Sequence, residues 1–193
     1  MENLRYFREI QEASVEGLMM HLRQHALRTD GPFTLRSGTI TPWYLDGRQT
    51  TMDGPGSVYV GRAVLGILDE SVVAVGGMTM GADPIAVATA LTAAIQDVPL
   101  KAFSVRKEPK DHGLGGRLVG PVLPGDVVAV IEDTTSTGGA LLEAIEVARD
   151  AGLEVIQAIA LVDRSEGKAA HLIEQSDVPF NAIVTPEDLG VTP

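Results

Sequence analysis

The stretch that decides the fold runs from Val127 to Ala140 and reads VVAVIEDTTSTGGA. Its first five residues are all apolar, which is typical of a strand buried on both faces of a parallel sheet. Two carboxylates, four hydroxyl residues and two glycines follow, and helical spacing begins over 138–151. In open α/β sheets ligands bind at the carboxyl ends of the strands, so this order predicts a ligand site directly after Ile131.

The same alternation of strand and helix continues on both sides of this stretch. Apolar runs predict strands over 72–75, 100–105, 155–162 and 180–184, with Gly76-Gly77 ending the first of them. Helical spacing predicts helices over 4–27, 58–68, 84–95 and 168–175, and short strand-like pieces stand at 33–35 and 43–45. Strands that alternate with helices predict an α/β fold with an open, mainly parallel sheet, flanked by helices and joined by right-handed crossovers.

Composition narrows the class of protein. The chain has 193 residues, 45% of them apolar, which is enough for the core of one ordinary domain. The net charge of −11 disfavours nucleic acid and anionic membranes as partners. The chain has no Cys, so disulfides, thiolate zinc sites and thiol nucleophiles are excluded. Residues 1–8 carry three charges and no apolar core follows, so we expect no signal peptide, and a cytoplasmic protein is compatible with this composition.

The polar residues after Ile131 have the parts of a phosphate cradle. Glycines allow close approach of the backbone, successive N–H groups point at an anion, and Thr or Ser hydroxyls add hydrogen bonds. Glu132 and Asp133 can bind ribose hydroxyls or hold a divalent cation through oxygen. The alternative is an ordinary helix start in which Ser136 or Thr137 is the N-cap.

A second stretch, 103–117, reads FSVRKEPKDHGLGGR and concentrates positive charge in an acidic chain. Its nitrogen donors, Arg106, Lys107, Lys110 and His112, surround several glycines. Such a segment suits a mobile lid that neutralises a leaving pyrophosphate and opens to release it. The alternative is a solvated surface loop.

These stretches resemble a known family. Residues 127–140 are similar to the phosphoribosyl pyrophosphate motif of type I phosphoribosyltransferases, and 103–117 looks like the catalytic loop of the orotate phosphoribosyltransferase family. Residues 33–46 resemble the hood of that family, and 161–164 resemble the strand end whose Arg meets the orotate carboxylate. No Gly-Lys-Ser or Gly-Lys-Thr follows the main strand, and Gly-x-Gly-x-x-Gly is absent there, so nucleotide hydrolysis and dehydrogenase readings are disfavoured.

The resemblance implies a fold, a reaction and partners. The fold is type I phosphoribosyltransferase-like, a single domain over 1–193 with a small hood from about 1–50 and the C-terminal segment. The reaction transfers the 5-phosphoribosyl group from phosphoribosyl pyrophosphate to N1 of orotate, giving orotidine 5′-monophosphate and pyrophosphate in de novo pyrimidine synthesis. Mg²⁺ is implied, held mainly by substrate and water near Asp133. A homodimer that shares the 106–117 loop between subunits is also implied.

The resemblance also assigns residues. Catalytic roles fall to Lys110, His112 and Asp133. Phosphoribosyl pyrophosphate contacts fall to Thr79, Arg106, Lys107, Lys110, His112, Glu132, Asp133, Thr134, Thr135, Ser136, Thr137, Gly138, Gly139 and Ala140. Orotate contacts fall to Arg36, Arg164 and Thr137. Two departures stand out: Arg36 replaces a Lys of many members, and the loop 76–84 lacks a Lys that many bacterial members carry, leaving its backbone N–H groups and the Thr79 hydroxyl for phosphate.

Two rival functions use the same fold. A phosphoribosyltransferase for a purine or a nicotinate-like acid would keep the 132–140 loop without needing Arg164 or the basic loop. A regulator that senses phosphoribosyl pyrophosphate normally adds a DNA-binding module. Residues 1–32 offer one helix with four Arg against five acidic residues, so no basic recognition surface is evident there.

Overall fold

The alternating pattern folds into a sheet between two helical layers. The computed structural model describes residues 2–34, 38, 40–109 and 116–192. Its strands are β1 (Leu27–Arg28), β2 (Phe33–Thr34), β3 (Ile40–Thr41), β4 (Tyr44–Leu45), β5 (Ala74–Met78), β6 (Lys101–Val105), β7 (Leu118–Val119), β8 (Val127–Thr135), β9 (Glu154–Asp163) and β10 (Phe180–Val184). Its helices are α1 (Glu2–Glu9), α2 (Gln11–His21), α3 (Arg48–Thr51), α4 (Gly54–Ile67), α5 (Ala82–Ile95), α6 (Gly139–Asp150) and α7 (Lys168–Glu174).

The main sheet has six strands in the order β10-β9-β8-β5-β6-β7. All neighbours are parallel except β6 and β7, which form an antiparallel edge. This confirms the predicted α/β fold with a mainly parallel sheet. Strands β8 and β5 are adjacent at its centre, so their carboxyl ends open side by side.

Both faces of the sheet are buried. Alternate residues of β8, such as Ala129 and Ile131, pack with α1, α2, α4 and α5 on one side. Val128 and Val130 pack with Leu141, Ile145 and other α6 residues on the opposite side. The near-continuous apolar runs seen in the sequence are the result of this double burial. No helix within the described residues is long and apolar enough to cross a membrane.

Two strand ends differ from their predicted positions. The prediction that Gly76-Gly77 ends its strand is wrong, because β5 continues through both glycines to Met78. A Cβ on Gly77 would collide with the carbonyl oxygen of Ile131, and one on Gly76 with that of Phe103, so glycine here permits close packing of strands. Strand β8 likewise extends to Thr135, which places both carboxylates within the strand and not after it.

The N-terminal region forms helices and two small antiparallel strand pairs. The predicted 4–27 helix is interrupted at Ile10, and its last part, Leu22–Ala26, winds as a π-helix. Strand β1 pairs with β4, and β2 with β3. His21 then joins these helices to the segment beyond β4, because its ring nitrogens lie 3.1 Å from Thr50 Oγ1 and 3.0 Å from Asp53 Oδ2.

Candidate active site

A cleft of about 450 Å³ opens where β5 and β8 end. It brings together six of the residues expected to contact phosphoribosyl pyrophosphate: Thr79, Lys107, Glu132, Asp133, Thr134 and Ala140. Residues 44–48, which comprise β4 and the residues directly after it, form another wall. Residues distant in sequence thus line one concave surface at the predicted edge of the sheet.

Two buried oxygen atoms in this cleft are without hydrogen-bond partners. Glu132 Oε2 and Thr134 Oγ1 have none among the residues that the structure describes. Asp133 Oδ1, by contrast, accepts from the N–H of Thr134 at 2.7 Å. Buried polar atoms are nearly always paired, so unpaired ones inside a cleft indicate the position of a polar ligand.

The carboxyl pair is also electrostatically unusual. Burial, together with the neighbouring charge of Asp133, raises the pKa of Glu132 to about 8. Burial raises the pKa of Asp133 as well, although the Thr134 N–H and the positive charge of Arg48 oppose this. The pair therefore retains a proton near neutral pH. A ligand that brings O–H donors or positive charge favours the ionised form.

Around the end of β8, some residues hold the loop in shape and others are exposed to a ligand. Thr135 is buried, and its Oγ1 accepts from the Gly138 N–H at 3.0 Å. Gly138 has φ +85°, and a Cβ there would lie 3.0 Å from Ala169 Cα. Ser136 and Thr137 are exposed. The loop thus offers its ligand the exposed Ser136, Thr137, Gly139 and Ala140, while Thr135 and Gly138 fix its shape.

The loop after β5 uses Thr79 differently from the expectation. The Thr79 hydroxyl donates to Asp83, and its N–H donates to the Val105 carbonyl at 2.8 Å. Both donors of Thr79 are therefore engaged within the protein. The N–H groups of Met80 and Gly81 are left as this loop's candidates for phosphate. A Cβ on Gly81 would lie 2.8 Å from an Asp133 carboxylate oxygen, so the loop passes directly over the acid pair.

The positive charges enter from the strand beside β5. Arg106 is half-buried at the end of β6, and Lys107 is exposed and lines the cleft. Two hydrogen bonds join the ends of the segment 106–117. Arg106 N–H donates to the Arg117 carbonyl at 2.8 Å, and Arg117 Nε donates to the Arg106 carbonyl at 2.7 Å. Lys110, His112 and Arg36 lie outside the described residues.

Arg164 follows β9 and lines a second cavity of about 240 Å³ beside Thr185 and Pro186. Its guanidinium carbon lies 4.7 Å from the centroid of the Trp43 ring. It does not line the cleft of the acid pair. The structure therefore places Arg164 in a cavity apart from the predicted phosphate cleft, and Asp163, Glu166 and Glu187 also line that cavity.

Arg48 and Asp46 are site residues that the sequence argument missed. Arg48 Nε lies 2.8 Å from Asp46 Oδ1, and both line the cleft. Arg48 also lowers the pKa of Asp133 through its charge, against the effect of burial. No spacing pattern marks these two, because the strand pairs carry them there. Within the described ranges no group of three or more Asp, Glu or His is placed to hold a metal ion.

Comparison with known proteins gives consistent results. The chain is 42% identical over 170 residues to an orotate phosphoribosyltransferase from Rhodopirellula baltica, covering 84% of this chain and 88% of that protein. A Streptomyces avermitilis orotate phosphoribosyltransferase is 39% identical over 178 residues, covering 92% and 98%. No family model matches the chain.

Solved structures agree. The Mycobacterium tuberculosis orotate phosphoribosyltransferase in complex with 5-phospho-α-D-ribosyl 1-diphosphate, which is phosphoribosyl pyrophosphate, matches with a TM-score of 0.73 and 32% identity. The match covers 92% of this chain and 99% of that one. The Leishmania donovani UMP synthase matches with a TM-score of 0.74 and 33% identity, covering 93% of this chain and 38% of that one.

Proposed function

The chain belongs to the orotate phosphoribosyltransferase family, and on that premise we propose how its residues divide the work of the reaction. The reaction joins N1 of orotate to C1′ of phosphoribosyl pyrophosphate and releases pyrophosphate. Two physical tasks follow: N1 and C1′ must be held in line, and the charge that leaves with pyrophosphate must be stabilised. Membership confirms the family and the activity that the sequence resemblance implied.

The assignment rests on two buried oxygens without hydrogen-bond partners, Glu132 Oε2 and Thr134 Oγ1, in a cleft that Lys107 also lines. The 2′ and 3′ hydroxyls of ribose supply O–H donors for the unpaired Glu132 Oε2 and for the neighbouring Asp133 carboxylate, and the unpaired Thr134 Oγ1 lies in the same cleft. Ser136, Thr137, Gly139 and Ala140 hold the 5′-phosphate at the start of α6, where the helix dipole favours an anion. These roles use the residues that the loop leaves exposed.

Pyrophosphate is held by the positive residues on the other side of the cleft. Arg106 and Lys107 meet it at the end of β6, and the N–H groups of Met80 and Gly81 assist from the loop after β5. The loop 76–84 lacks the Lys of many bacterial members, so the positive charge for pyrophosphate comes from Arg106 and Lys107, and the Met80 and Gly81 amides add neutral N–H donors.

Mg²⁺ is proposed as the cofactor. The carboxylate oxygens of Asp133 and Glu132 are hard donors that suit this ion, and the unpaired Glu132 Oε2 is free to serve. Mg²⁺ usually keeps several waters and binds through substrate phosphates, so one or two protein carboxylates suffice. When bound, it neutralises negative charge on the pyrophosphate and ribose oxygens.

Orotate is proposed to bind on the Arg164 side. Arg164 pairs with its carboxylate through parallel N–H donors, and Arg36 and Thr137 contribute further contacts. The base enters with N1 as an anion, so no separate catalytic base is required.

The loop 106–117 is proposed to close over pyrophosphate, with Lys110 and His112 as donors that reach the active site of a second subunit. This implies a homodimer. The chain is taken as one domain over 1–193, with a hood from about 1–50 and the C-terminal segment, working in the cytoplasm.

The proposal is tested by turnover with alternative bases. Purified protein, phosphoribosyl pyrophosphate and Mg²⁺ are mixed with orotate, adenine, hypoxanthine or uracil. Release of pyrophosphate is measured with each base, and loss of orotate absorbance is followed where orotate is the base. We expect turnover of orotate alone, and omission of Mg²⁺ should abolish it. Turnover of a purine without orotate would support the rival phosphoribosyltransferase, and binding of phosphoribosyl pyrophosphate without any turnover would support the regulator.

Loop sharing has its own test. Lys110→Ala should lower turnover far more than phosphoribosyl pyrophosphate binding. Mixing inactive Lys110→Ala and Asp133→Asn proteins should then restore some activity through hybrid sites, if subunits exchange. Absence of recovery after verified exchange would rule out a loop that serves the partner.

A further inference from the structure

We propose that Trp43 is a positioning residue that holds Arg164 for the substrate carboxylate, and that the segment Leu189–Thr192 holds Trp43 in turn. The proposal rests on the assignment of Arg164 to orotate made above. Trp43 and the segment that holds it, which are far apart in the chain, would then set the strength and selectivity of the contact between Arg164 and the orotate carboxylate.

Arg164 is oriented by an aromatic face and not by an ion pair. Its guanidinium carbon lies 4.7 Å above the centroid of the Trp43 ring. Its backbone N–H donates to the Thr135 carbonyl at 2.9 Å, which ties the residue to the end of β8. Within the described part of the chain, no carboxylate or carbonyl accepts from the guanidinium. The ring covers one face and leaves the N–H donors at the edge for a ligand.

The Trp43 ring is itself held. Its side chain is 4% exposed, and Nε1–H donates to the Thr192 carbonyl at 2.7 Å. Leu189, also 4% exposed, belongs to the same apolar cluster, and Val191 packs against that cluster. The ring is therefore packed in the core and hydrogen-bonded at its polar edge, which leaves it little freedom to rotate.

The segment that holds the indole is anchored independently. The N–H and hydroxyl of Thr185 each donate to Asp188 Oδ2 at 2.8 Å. Val191 N–H donates to the Pro186 carbonyl at 3.0 Å. From the π-helical turn, Arg23 donates to the Asp188 carbonyl. The turn after β10 thus carries the acceptor for Trp43 and also lines the cavity of Arg164.

A second arginine on an aromatic ring shows what is distinctive here. Arg28 lies over Phe33 at 5.1 Å, but its Nε and Nη2 donate to the Asp30 carboxylate at 3.1 Å and 2.8 Å. Its charge is neutralised and two of its donors are used. Arg164, on its ring without an acidic partner among the described residues, is oriented in advance without losing charge or donors, which lowers the entropy lost when a carboxylate binds.

The test is a double-mutant cycle on the KM for orotate at saturating phosphoribosyl pyrophosphate. Trp43→Leu should raise that KM roughly fivefold to thirtyfold, the range of a partly desolvated cation–π contact, with the KM for phosphoribosyl pyrophosphate unchanged. Trp43→Phe keeps a ring under Arg164 and should stay within about threefold of wild type. In an Arg164→Ala background, Trp43→Leu should add almost nothing.

Additive effects in the cycle, or equal rises in both KM values, would overturn the proposal and leave Trp43 a purely structural residue. If Trp43→Leu does not fold, the anchor is tested instead. A chain that ends after Val191 loses the Thr192 carbonyl and should raise the orotate KM severalfold, whereas Thr192→Ala keeps that carbonyl and should match wild type. Equal orotate KM values in these two proteins would overturn the proposal.

Fluorescence gives a readout that a change in fold would not mimic. Trp43 is the sole Trp of the chain, so its emission reports this pocket directly. Orotate should change the emission in wild type and not in Arg164→Ala. If Arg164→Ala leaves the orotate KM unchanged while turnover persists, the Arg164 assignment itself fails. If Arg164→Ala weakens orotate and the Trp43 variants do not, only the positioning proposal fails.

Discussion

Replacing Glu132 with glutamine should stabilise the protein at high pH. The carboxyl has an ordinary pKa of 4.5 and a pKa of about 8 in the folded chain. Because the folded state binds this proton more tightly than the unfolded chain, the free energy of unfolding falls as pH rises from 4.5 towards 8. The Glu132→Gln variant would keep the shape of the side chain and remove that dependence.

The magnitude follows from the shift. Between pH 5.5 and pH 8, a pKa that rises from 4.5 to about 8 implies a loss of up to about 3 kcal/mol in the free energy of unfolding. For a chain of 193 residues this corresponds to roughly 6 to 12 °C in Tm. The gap between Glu132→Gln and wild type should widen by that amount over this pH range, in favour of the variant.

Urea unfolding at pH 5.5, 6.5, 7.5 and 8 measures this directly, without ligand. The exposed Glu146 on α6 provides a matched control, since Glu146→Gln should leave the pH slope as it is in wild type. Parallel curves for Glu132→Gln and wild type would refute the reasoning, because they would mean that burial does not hold a proton on the pair. The same variant should lose most turnover, because an amide is a poorer acceptor for ribose hydroxyls.

Three further outcomes follow from the geometry. Binding of phosphoribosyl pyrophosphate at pH 7 should release up to about one proton, because ribose hydroxyls favour the ionised form of Glu132. The binding enthalpy measured by calorimetry should therefore differ between buffers of different ionisation enthalpy, and equal enthalpies would contradict this. Gly138→Ala should lower the free energy of unfolding by at least about 1 kcal/mol more than Gly167→Ala. Both glycines have φ near +85°, but only at Gly138 would the added Cβ crowd a neighbour, Ala169. Similar losses of stability on urea unfolding would argue against this close contact. Gly77→Ala should cost about 3 kcal/mol or more through collision with a backbone carbonyl of β8, while Gly54→Ala, in open space on α4, should be nearly neutral; a stable Gly77→Ala protein would count against the strand packing.

Local signals were sufficient for most strands of the main sheet and for placing the acid pair near its edge, although the pair lies within β8 and not after it. Strand-length apolar runs located β6, β8, β9 and β10, since each run is bounded by polar residues or turns. This worked even for the edge strand β10, of which only Val184 is buried. The strand-like pieces at 33–35 and 43–45 correspond to β2 and β4. Strand β7 was not predicted, because it exists only through pairing with β6. The continuation of β5 through Gly76-Gly77 was also not predicted. A glycine pair in a sequence indicates the end of a strand unless the close approach of the neighbouring backbones is known.

The sequence by itself determined the class of fold, the family resemblance and the identity of the acid pair, because these depend on the order of residues along one strand and the turn after it. Only the tertiary structure decided which donors are free. It engaged Thr79 with Asp83, brought Arg48 beside the acid pair, and placed Arg164 on Trp43. The pairings of Arg48 and Arg164 join segments far apart in the chain, and the packing of the hood against the sheet, which no local pattern records, creates them.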